Sequence, residues 1–266
     1  MFDSIAGDYD ALNHILSLDV DKIWRKKALK QIVDAPAPAR VLDLACGTGD
    51  FSIAIAKALS RSHKRVGTPI EAHVKAPAKV PVEAQVTSTG FVTGDSGRSD
   101  LMTKGHVTGV DLSEGMLAVM REKVAKAGLT EMISIEEGDG ENLRFPDNTF
   151  DRVTIAFGIR NFEDRPKGLR EMLRVLKPGG RLVILELSRP ENKIIRWFYD
   201  LYFLHILPKI GGKVSGDKAA YAYLPASVAA FPGKKAFMAT MREAGFRTVT
   251  HKAFTLGICR MYTGEK

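Results

Sequence analysis

The sequence is poor in cysteine, with only Cys46 and Cys259 among its 266 residues. The two cysteines form no CxxC pair, and no histidines stand at the spacing of metal ligands. The sequence therefore supports neither a disulfide framework nor a zinc site. We expect a protein of the reducing cytoplasm that holds no metal.

Long hydrophobic runs are also lacking, since no stretch reaches the roughly 18 apolar residues of a membrane span. The first residues, MFDSIAGDYDALN, include three aspartates and lack the basic and apolar regions of a signal peptide. We therefore expect neither export nor a membrane-spanning helix. A transient, peripheral contact with the inner face of a membrane stays open.

The sequence is basic, since it contains 39 Lys and Arg but only 31 Asp and Glu, which gives a formal net charge of +8. Such a balance suits nucleic acid, an anionic membrane surface or an ordinary basic enzyme. The basic residues are spread along the chain and aromatic residues do not interleave with them, so we expect no nucleic-acid partner. The residues do not determine the oligomeric state, for which a homodimer stays open.

The chain is long enough for one large domain over residues 1–266. Residues 1–38 form a helical N-terminal region that ends in a Pro-rich stretch. A short buried strand is predicted at 40–45 and a helix at 51–61, and strands and helices alternate again from residue 106. This alternation predicts an α/β fold with a doubly wound, mostly parallel sheet, preceded by N-terminal helices.

Residues 62–104 interrupt this pattern with Pro, Gly, Ser, Thr and Lys and show no helical period. Asp111 consequently follows Asp43 at far more than the roughly 20 residues that usually separate such a glycine turn from the acid of the next strand. Removing 62–104 restores a normal interval, and loop-closure entropy rises only slowly with loop length. We therefore predict a flexible insertion.

The glycine-rich turn after the first strand, Asp43 to Asp50, is the sharpest local signal. Gly47 and Gly49 allow a tight turn and a close approach of a ligand to the backbone, and the following helix N-terminus favours negative groups. The dinucleotide pattern GxGxxG is not met, which disfavours NAD. The turn therefore predicts a different nucleotide-type ligand.

Acidic residues follow the next two strands. Asp111 can accept hydrogen bonds from the two hydroxyls of a ribose, although with Ser113 it could merely cap the next helix. Asp139 and Gly140 could contact an adenine edge, or they could form an ordinary acidic turn. In register, the three strand ends predict a nucleoside site.

With these residues assembled, the chain resembles the C-methyltransferases of ubiquinone and menaquinone biosynthesis. The stretches that carry the resemblance are FDSIAGDYDALN, LDLACGTGDF, GVDLSEGML, FPDNTFDRVTIAFGIRNFED, LKPGGRLVILELS and YAYLPASVAAFP. FGIRN and YxYLxxSxxxFP are the most specific of them, because most methyltransferases lack both. The resemblance covers essentially the whole chain except the insertion.

The resemblance implies a class I methyltransferase fold with a seven-stranded sheet and S-adenosylmethionine as cofactor. By resemblance, the cofactor-binding residues are Gly47, Thr48, Gly49, Asp111, Asp139, Gly140 and Ala156. Ala156 stands where the family often has Ser, so only its backbone could contact the cofactor. A non-catalytic S-adenosylmethionine-binding or RNA-binding module would instead show a damaged cofactor site and a basic stripe.

The implied reaction is methylation of a ring carbon of a polyprenyl quinol, with demethylmenaquinol favoured. A benzoquinol of the ubiquinone pathway, or another small lipidic acceptor, stays open. Arg160 is expected to stabilise phenolate charge beside the pocket and Asn161 to hold the second ring oxygen. The alternative for Arg160 is an ordinary salt bridge with Asp164 or Glu163.

Several aromatic residues are further candidates for contact with the quinol. Tyr9 is predicted to act in catalysis, and Phe157, Tyr221 and Tyr223 to contact the substrate, although each could equally belong to the core. Residues 190–232 include an unusually aromatic stretch, which we interpret as a substrate lid for the polyprenyl tail that docks on the membrane. A buried helix is the alternative.

Overall fold

The computed structural model describes residues 19–35, 38–66, 105–202 and 218–266, with the backbone alone described for 62–66 and 218–222. Strands and helices alternate through these ranges as expected. The helices are α1 (Val20–Ile32), α2 (Asp50–Val66), α3 (Glu114–Lys126), α4 (Arg165–Val175), α5 (Lys193–Leu201), α6 (Lys218–Ala230) and α7 (Lys234–Glu243). The strands are β1 (Arg40–Leu44), β2 (His106–Asp111), β3 (Ile133–Glu137), β4 (Phe150–Ala156), β5 (Leu176–Leu187), β6 (Arg247–Phe254) and β7 (Cys259–Glu265).

The seven strands form one sheet in the order β3-β2-β1-β4-β5-β7-β6. Strands β1 to β5 pair in parallel, and β7 runs antiparallel between β5 and β6. The strand order reverses between β1 and β4, so their carboxyl ends open a crevice at the centre of the sheet. The predicted doubly wound, mostly parallel seven-stranded fold is confirmed.

Two apolar layers cover the two faces of this sheet. One contains buried residues of α1, α2 and α3, including Trp24, Ile55 and Met120. The other contains buried residues of α4, α7 and one face of β7, among them Phe237 and Tyr262. Because both faces are covered, the central strands read as continuous apolar runs rather than as an alternation.

Helix α1 belongs to the first of these layers. Its buried residues Trp24, Ala28 and Ile32 follow one another at intervals of one helical turn. The Trp24 Nε1 donates a hydrogen bond to Thr255 Oγ1 over 2.9 Å, which ties α1 to the C-terminal part of the chain. The predicted N-terminal helical region is thus helical from residue 20 to residue 32 and forms part of the core.

The predicted insertion begins later than the sequence suggested. Helix α2 continues to Val66, so residues 62–66 are helical. Ser, His, Lys and Arg are all tolerated on an exposed helix, and the first strong breaker is Gly67. His106 then pairs with Arg40 in the parallel β1–β2 ladder. Residues 67–104 lie outside the described ranges, and their role as an insertion stays a prediction.

Helix α5 lies at the carboxyl end of β5 and contradicts the buried-helix alternative. The side chain of Asn192 caps it by accepting hydrogen bonds from the backbone N–H groups of Ile194 and Ile195. Tyr199 is buried against Val228 of α6, but most of the other apolar side chains of α5 are exposed. None of the described helices is long and apolar enough to cross a membrane.

Candidate active site

A cavity of about 320 Å³ opens at the carboxyl edge of the sheet, where the strand order reverses. Its lining comes from the residues after β1, β2, β3 and β4 and from the short 3-10 turn Ile159–Asn161. Among the predicted residues, the lining includes Gly47, Asp111, Asp139, Gly140, Ala156, Phe157 and Asn161. The volume falls in the range of small-molecule sites and is sufficient for a nucleoside.

The glycine turn after β1 is held against Asp111. The backbone N–H of Gly47 donates to Asp111 Oδ2 over 2.8 Å. Gly49 adopts a φ of 83°, and a Cβ there would lie 2.4 Å from Met120 Cγ. The turn therefore requires glycine at position 49 for both conformation and space.

Asp111 is an acceptor at the cavity and not the helix cap. Its Oδ1 accepts a hydrogen bond from the backbone N–H of Ser113 over 2.9 Å. Ser113 itself caps α3, because its Oγ accepts from the N–H of Met116 over 3.2 Å. A carboxylate offers about four acceptor positions, so its oxygens can serve more than one donor.

The turn after β3 forms the far wall of the cavity. Asp139 Oδ1 accepts a hydrogen bond from the N–H of Glu141 over 2.8 Å, which fixes the turn. A Cβ at Gly140 would lie 2.5 Å from Phe162 Cζ, so no larger residue fits there without a shift of Phe162. Asp139 and Gly140 therefore form an ordinary acidic turn that also lines the cavity, and their contact with an adenine edge stays a prediction.

A second, smaller cavity adjoins the first and shares Ala45, Gly47, Ala156 and Phe157 with it. Thr48, which was expected to contact the cofactor, lines this second cavity and is buried. The combined site is elongated. It can accept a nucleoside at one end and a small polar group at the other.

Asp43 lines the second cavity from the end of β1. Burial raises the pKa of its carboxyl to about 7. A hydrogen bond of 2.6 Å from Ser52 Oγ to Asp43 Oδ2 acts in the opposite direction, because it favours the ionised form. The nearby Arg25 also lowers this pKa and Asp111 raises it. Asp43 is therefore poised to change its charge near neutral pH.

A model of the ubiE/COQ5 methyltransferase family matches residues 1–266. The chain belongs to this family. It is 43% identical to the ubiquinone/menaquinone biosynthesis C-methyltransferase UbiE of Geobacter sulfurreducens over all of this chain and 87% of that protein. It is 42% identical to the demethylmenaquinone methyltransferase of Deinococcus radiodurans over all of this chain and 91% of that protein.

Two solved structures with the same fold are described as S-adenosylmethionine-dependent methyltransferases, and both have low sequence identity to this chain. One from Aquifex aeolicus aligns with a TM-score of 0.53 at 19% identity, over 90% of this chain and 88% of its own. A putative one from Methanococcus maripaludis aligns with a TM-score of 0.59 at 17% identity, over all of this chain and 94% of its own. These two likenesses show the fold alone.

Arg160 of this ubiE/COQ5 family chain lies in the 3-10 turn after β4 and forms a buried ion pair. Its Nη1 is 2.8 Å from Oε1 of Glu186, and its backbone N–H donates to Glu186 Oε2 over 3.1 Å. Its Nε donates to Ser227 Oγ of α6 over 3.4 Å. The expected salt-bridge alternative with Asp164 or Glu163 is therefore wrong, and the partner is Glu186.

The expected role of the Arg160 guanidinium at the pocket stays a prediction. Arg160 lines neither of the two described cavities, because its guanidinium is engaged by Glu186, Ser227 and the carbonyl oxygen of Phe157. Glu186 is fully buried, and such a carboxylate requires a cationic partner. Arg160 therefore joins β5, the 3-10 turn and α6.

The two most specific family motifs meet beside the first cavity. Tyr223 of α6 donates its hydroxyl hydrogen to Asn161 Oδ1 over 2.8 Å, and Asn161 lines that cavity. The side chain of Tyr221 lies outside the described parts of the chain, as does Tyr9. FGIRN and YxYLxxSxxxFP are therefore in direct contact at the edge of the first cavity.

Phe157 follows β4 directly and lines both cavities. Its φ of 63° is unusual for a bulky residue and marks a backbone held in place by its surroundings. Its ring centroid lies 6.2 Å from that of Trp24, and the Arg25 guanidinium lies 5.7 Å over its ring. The contacts with α1 could not be read from the sequence, because they join residues far apart in the chain.

Proposed function

We propose that this chain is an S-adenosylmethionine-dependent C-methyltransferase that methylates the ring of a polyprenyl quinol, with demethylmenaquinol as the substrate. The observation that carries the proposal is the Asn161–Tyr223 hydrogen bond, because it joins the two family-specific motifs at the edge of a nucleoside-sized cavity. The names of the relatives support the same substrate class.

The residues of the first cavity fit the cofactor. Asp111 offers carboxylate oxygens to a ribose, and the bare backbone at Gly140 leaves space that a Cβ would fill. Ala156 offers only backbone, and Thr48 lies toward the smaller cavity. When bound, S-adenosylmethionine supplies an electrophilic methyl group.

The protein's own contribution is to hold the acceptor ring in line with that group. Asn161 and Tyr223 offer a carbonyl oxygen, an amide N–H and a hydroxyl, which can hold ring oxygens, and Phe157 offers an apolar wall. Arg160 acts through the position of Asn161, since Glu186 fixes the turn that carries both. Positioning of this kind can supply about 7–11 kcal/mol in favourable cases.

The exposed face of α5 supports a transient contact with a membrane surface. Ile194, Trp197 and Phe198 are 71%, 61% and 60% exposed, and they lie with Leu201 on one helical face. Lys193 and Arg196 of the same helix add positive charge. An apolar face with basic neighbours suits an anionic lipid surface, where a polyprenyl substrate resides. The predicted lid at residues 190–232, of which 203–217 lie outside the described ranges, would then lie on the cytoplasmic side of the membrane. A homodimer contact is the competing use of the α5 face.

The experiment that tests the substrate uses a strain that lacks its own quinone C-methyltransferase. Lipid extracts are analysed by mass spectrometry after complementation with the wild type or with Asp111→Ala. We expect a quinone heavier by one methyl group with the wild type only. A methylated benzoquinone would favour the ubiquinone pathway, and no methylated quinone despite cofactor binding would point to another lipidic acceptor.

A second measurement tests the proposed site. Tyr223→Phe removes one hydrogen bond of roughly 1 kcal/mol, so kcat/KM for a short-chain demethylmenaquinol should fall about 5-fold. Cofactor affinity should stay within about 2-fold of the wild type, because Tyr223 lies on the acceptor side. An unchanged kcat/KM would contradict the assignment of Tyr223 to the acceptor.

A further inference from the structure

The smaller cavity contains one residue that neither the motifs nor the resemblance assigned. Arg25 of α1 lines it together with Asp43, Thr48 and Asp50, and among the described residues of the lining it is the only basic one. Helix α1 is fixed on the sheet by Trp24. The guanidinium therefore lies at the cavity on a helix that is packed firmly against the sheet.

The hydrogen-bond donors of Arg25 are only partly used. Its Nη1 donates to Asp50 Oδ2 over 3.3 Å, and its Nη2 lies 3.6 Å from Asp21 Oδ2, beyond a good hydrogen bond. Its Nε is buried and has no hydrogen-bond partner among the described residues. A buried N–H without a partner is costly, so this donor points to an acceptor that a ligand supplies.

The local charges agree with that interpretation. Asp50 is shared, because Lys123 Nζ also binds its carboxylate, so Asp50 cannot serve Arg25 alone. A guanidinium presents a planar fork of donors that matches a carboxylate, and the ring of Phe157 beneath it restrains its plane. An anionic ligand group is the acceptor that this arrangement fits.

The shape of the site identifies the group. The smaller cavity joins the nucleoside cavity through Gly47, Ala156 and Phe157, so one ligand can occupy both. S-adenosylmethionine carries one anionic group, the carboxylate of its methionyl part, at the end opposite to the adenine. We infer that Arg25 binds this carboxylate, an inference that rests on the cofactor named in the proposed function.

The acidic residues of the smaller cavity complete the match. The methionyl end also carries an ammonium group, and Asp43 and the backbone carbonyl of Gly47 are acceptors on the side of the glycine turn. A cavity with one guanidinium and nearby carboxylates is complementary to a zwitterion. Helix α1 thereby becomes part of the cofactor site as well as of the core.

The test compares two ligands that differ by the carboxylate alone, S-adenosylmethionine and decarboxylated S-adenosylmethionine. Their affinities for the full chain and for Arg25→Gln are measured by isothermal titration calorimetry. The variant should bind S-adenosylmethionine about 10- to 100-fold more weakly, the range for a hydrogen bond to a charged group. Its affinity for the decarboxylated ligand should change by less than about 3-fold.

Lys26→Gln is the matched control, because it removes one positive charge from an exposed position of the same helix. It should leave both affinities unchanged. An equal loss of affinity for both ligands in Arg25→Gln would show that Arg25 has a structural role only. No loss of affinity for either ligand would place the carboxylate elsewhere in the site. Either outcome overturns the inference. Failure of the wild type to bind S-adenosylmethionine would instead overturn the proposed function, whereas failure to methylate a quinol leaves this result untouched.

Discussion

The carboxyl edge of the sheet buries polar side chains, whereas the outer face of α5 exposes apolar ones. At the sheet edge Asp43 is 1% exposed, whereas on α5 Trp197 is 61% exposed. Asp43 is held by Ser52, and Asp111 by two backbone N–H groups. On the exposed face of α5, Trp197 and Phe198 contact each other edge to face.

Each region departs from ordinary burial for a reason of ligand chemistry. A buried carboxyl is unfavourable for folding unless it is hydrogen-bonded, and an exposed apolar patch is unfavourable in water. The first arrangement suits a polar cofactor and the second a lipid surface. Changes at the sheet edge should therefore affect folding and cofactor affinity, and changes on α5 should affect neither.

The largest expected effect is that of Arg160→Met, which leaves the buried carboxylate of Glu186 without its cation. We expect a loss of about 3–5 kcal/mol in the free energy of unfolding, measured by urea denaturation. The double variant Arg160→Met, Glu186→Leu should recover part of that loss, because no unpaired charge remains. Lys193→Met on exposed α5 is the control, and an equal loss there would remove the contrast between the two regions.

Gly49→Ala should have the next largest effect. Residue 49 has a left-handed backbone conformation, and its new Cβ would clash with Met120. We expect these two effects together to lower the free energy of unfolding by about 2–4 kcal/mol. Gly233→Ala is the control, because no atom lies within 4 Å of its Cβ position. Thermal unfolding should separate the two variants, and a stable Gly49→Ala would contradict the described turn.

Asp43→Asn should change how stability depends on pH. Because the pKa of Asp43 is raised in the folded protein to about 7, its proton stabilises the fold at low pH, and this contribution is lost as pH rises through about 7. Between pH 6 and pH 8 the wild type should lose about 1.4 kcal/mol more than the Asn variant, the equivalent of one pKa unit. Urea denaturation at both pH values measures this, and parallel pH profiles would contradict the raised pKa.

The smallest effect on stability is expected on α5. Phe198→Ser should change the free energy of unfolding by no more than about 0.5 kcal/mol, because the side chain is exposed. It should nevertheless weaken binding to vesicles that contain phosphatidylglycerol, with Ile23→Ser, another exposed apolar position, as the control. Sedimentation with vesicles measures the binding.

The fluorescence of Trp197 offers a direct readout of the same contact. The chain contains two tryptophans, and Trp24 is buried, so a blue shift on vesicle addition would report Trp197. The fluorescence could instead stay unshifted while the chain self-associates. If Phe198→Ser then abolished that self-association, the α5 face would be assigned to contact with a second copy of the chain.

Much of the nucleoside site could be predicted from local sequence. Asp111 ends β2, Asp139 and Gly140 lie within three residues after β3, and parallel strands bring their carboxyl ends to one edge. The structure gathers all three around one cavity. Their roles follow from position in a pattern, so no long-range contact had to be known.

The partners of the second half of the site could not be predicted in this way. Arg160 pairs with Glu186 and Tyr223 with Asn161, and in both pairs the residues come from distant segments. Asp164 and Glu163 were the nearest acids in sequence, and the 3-10 turn leads Arg160 to Glu186 at the end of β5 instead.

The sequence by itself therefore determined the fold class, the cofactor edge and the family, because strand periodicity, glycine turns and contiguous motifs are local properties of the chain. The tertiary structure decided which side chains are available for chemistry. It paired Arg160 with Glu186, placed Arg25 at the smaller cavity and left the apolar face of α5 exposed. Burial, charge pairing and exposure depend on which segments pack together, and only the folded chain brings those segments into contact.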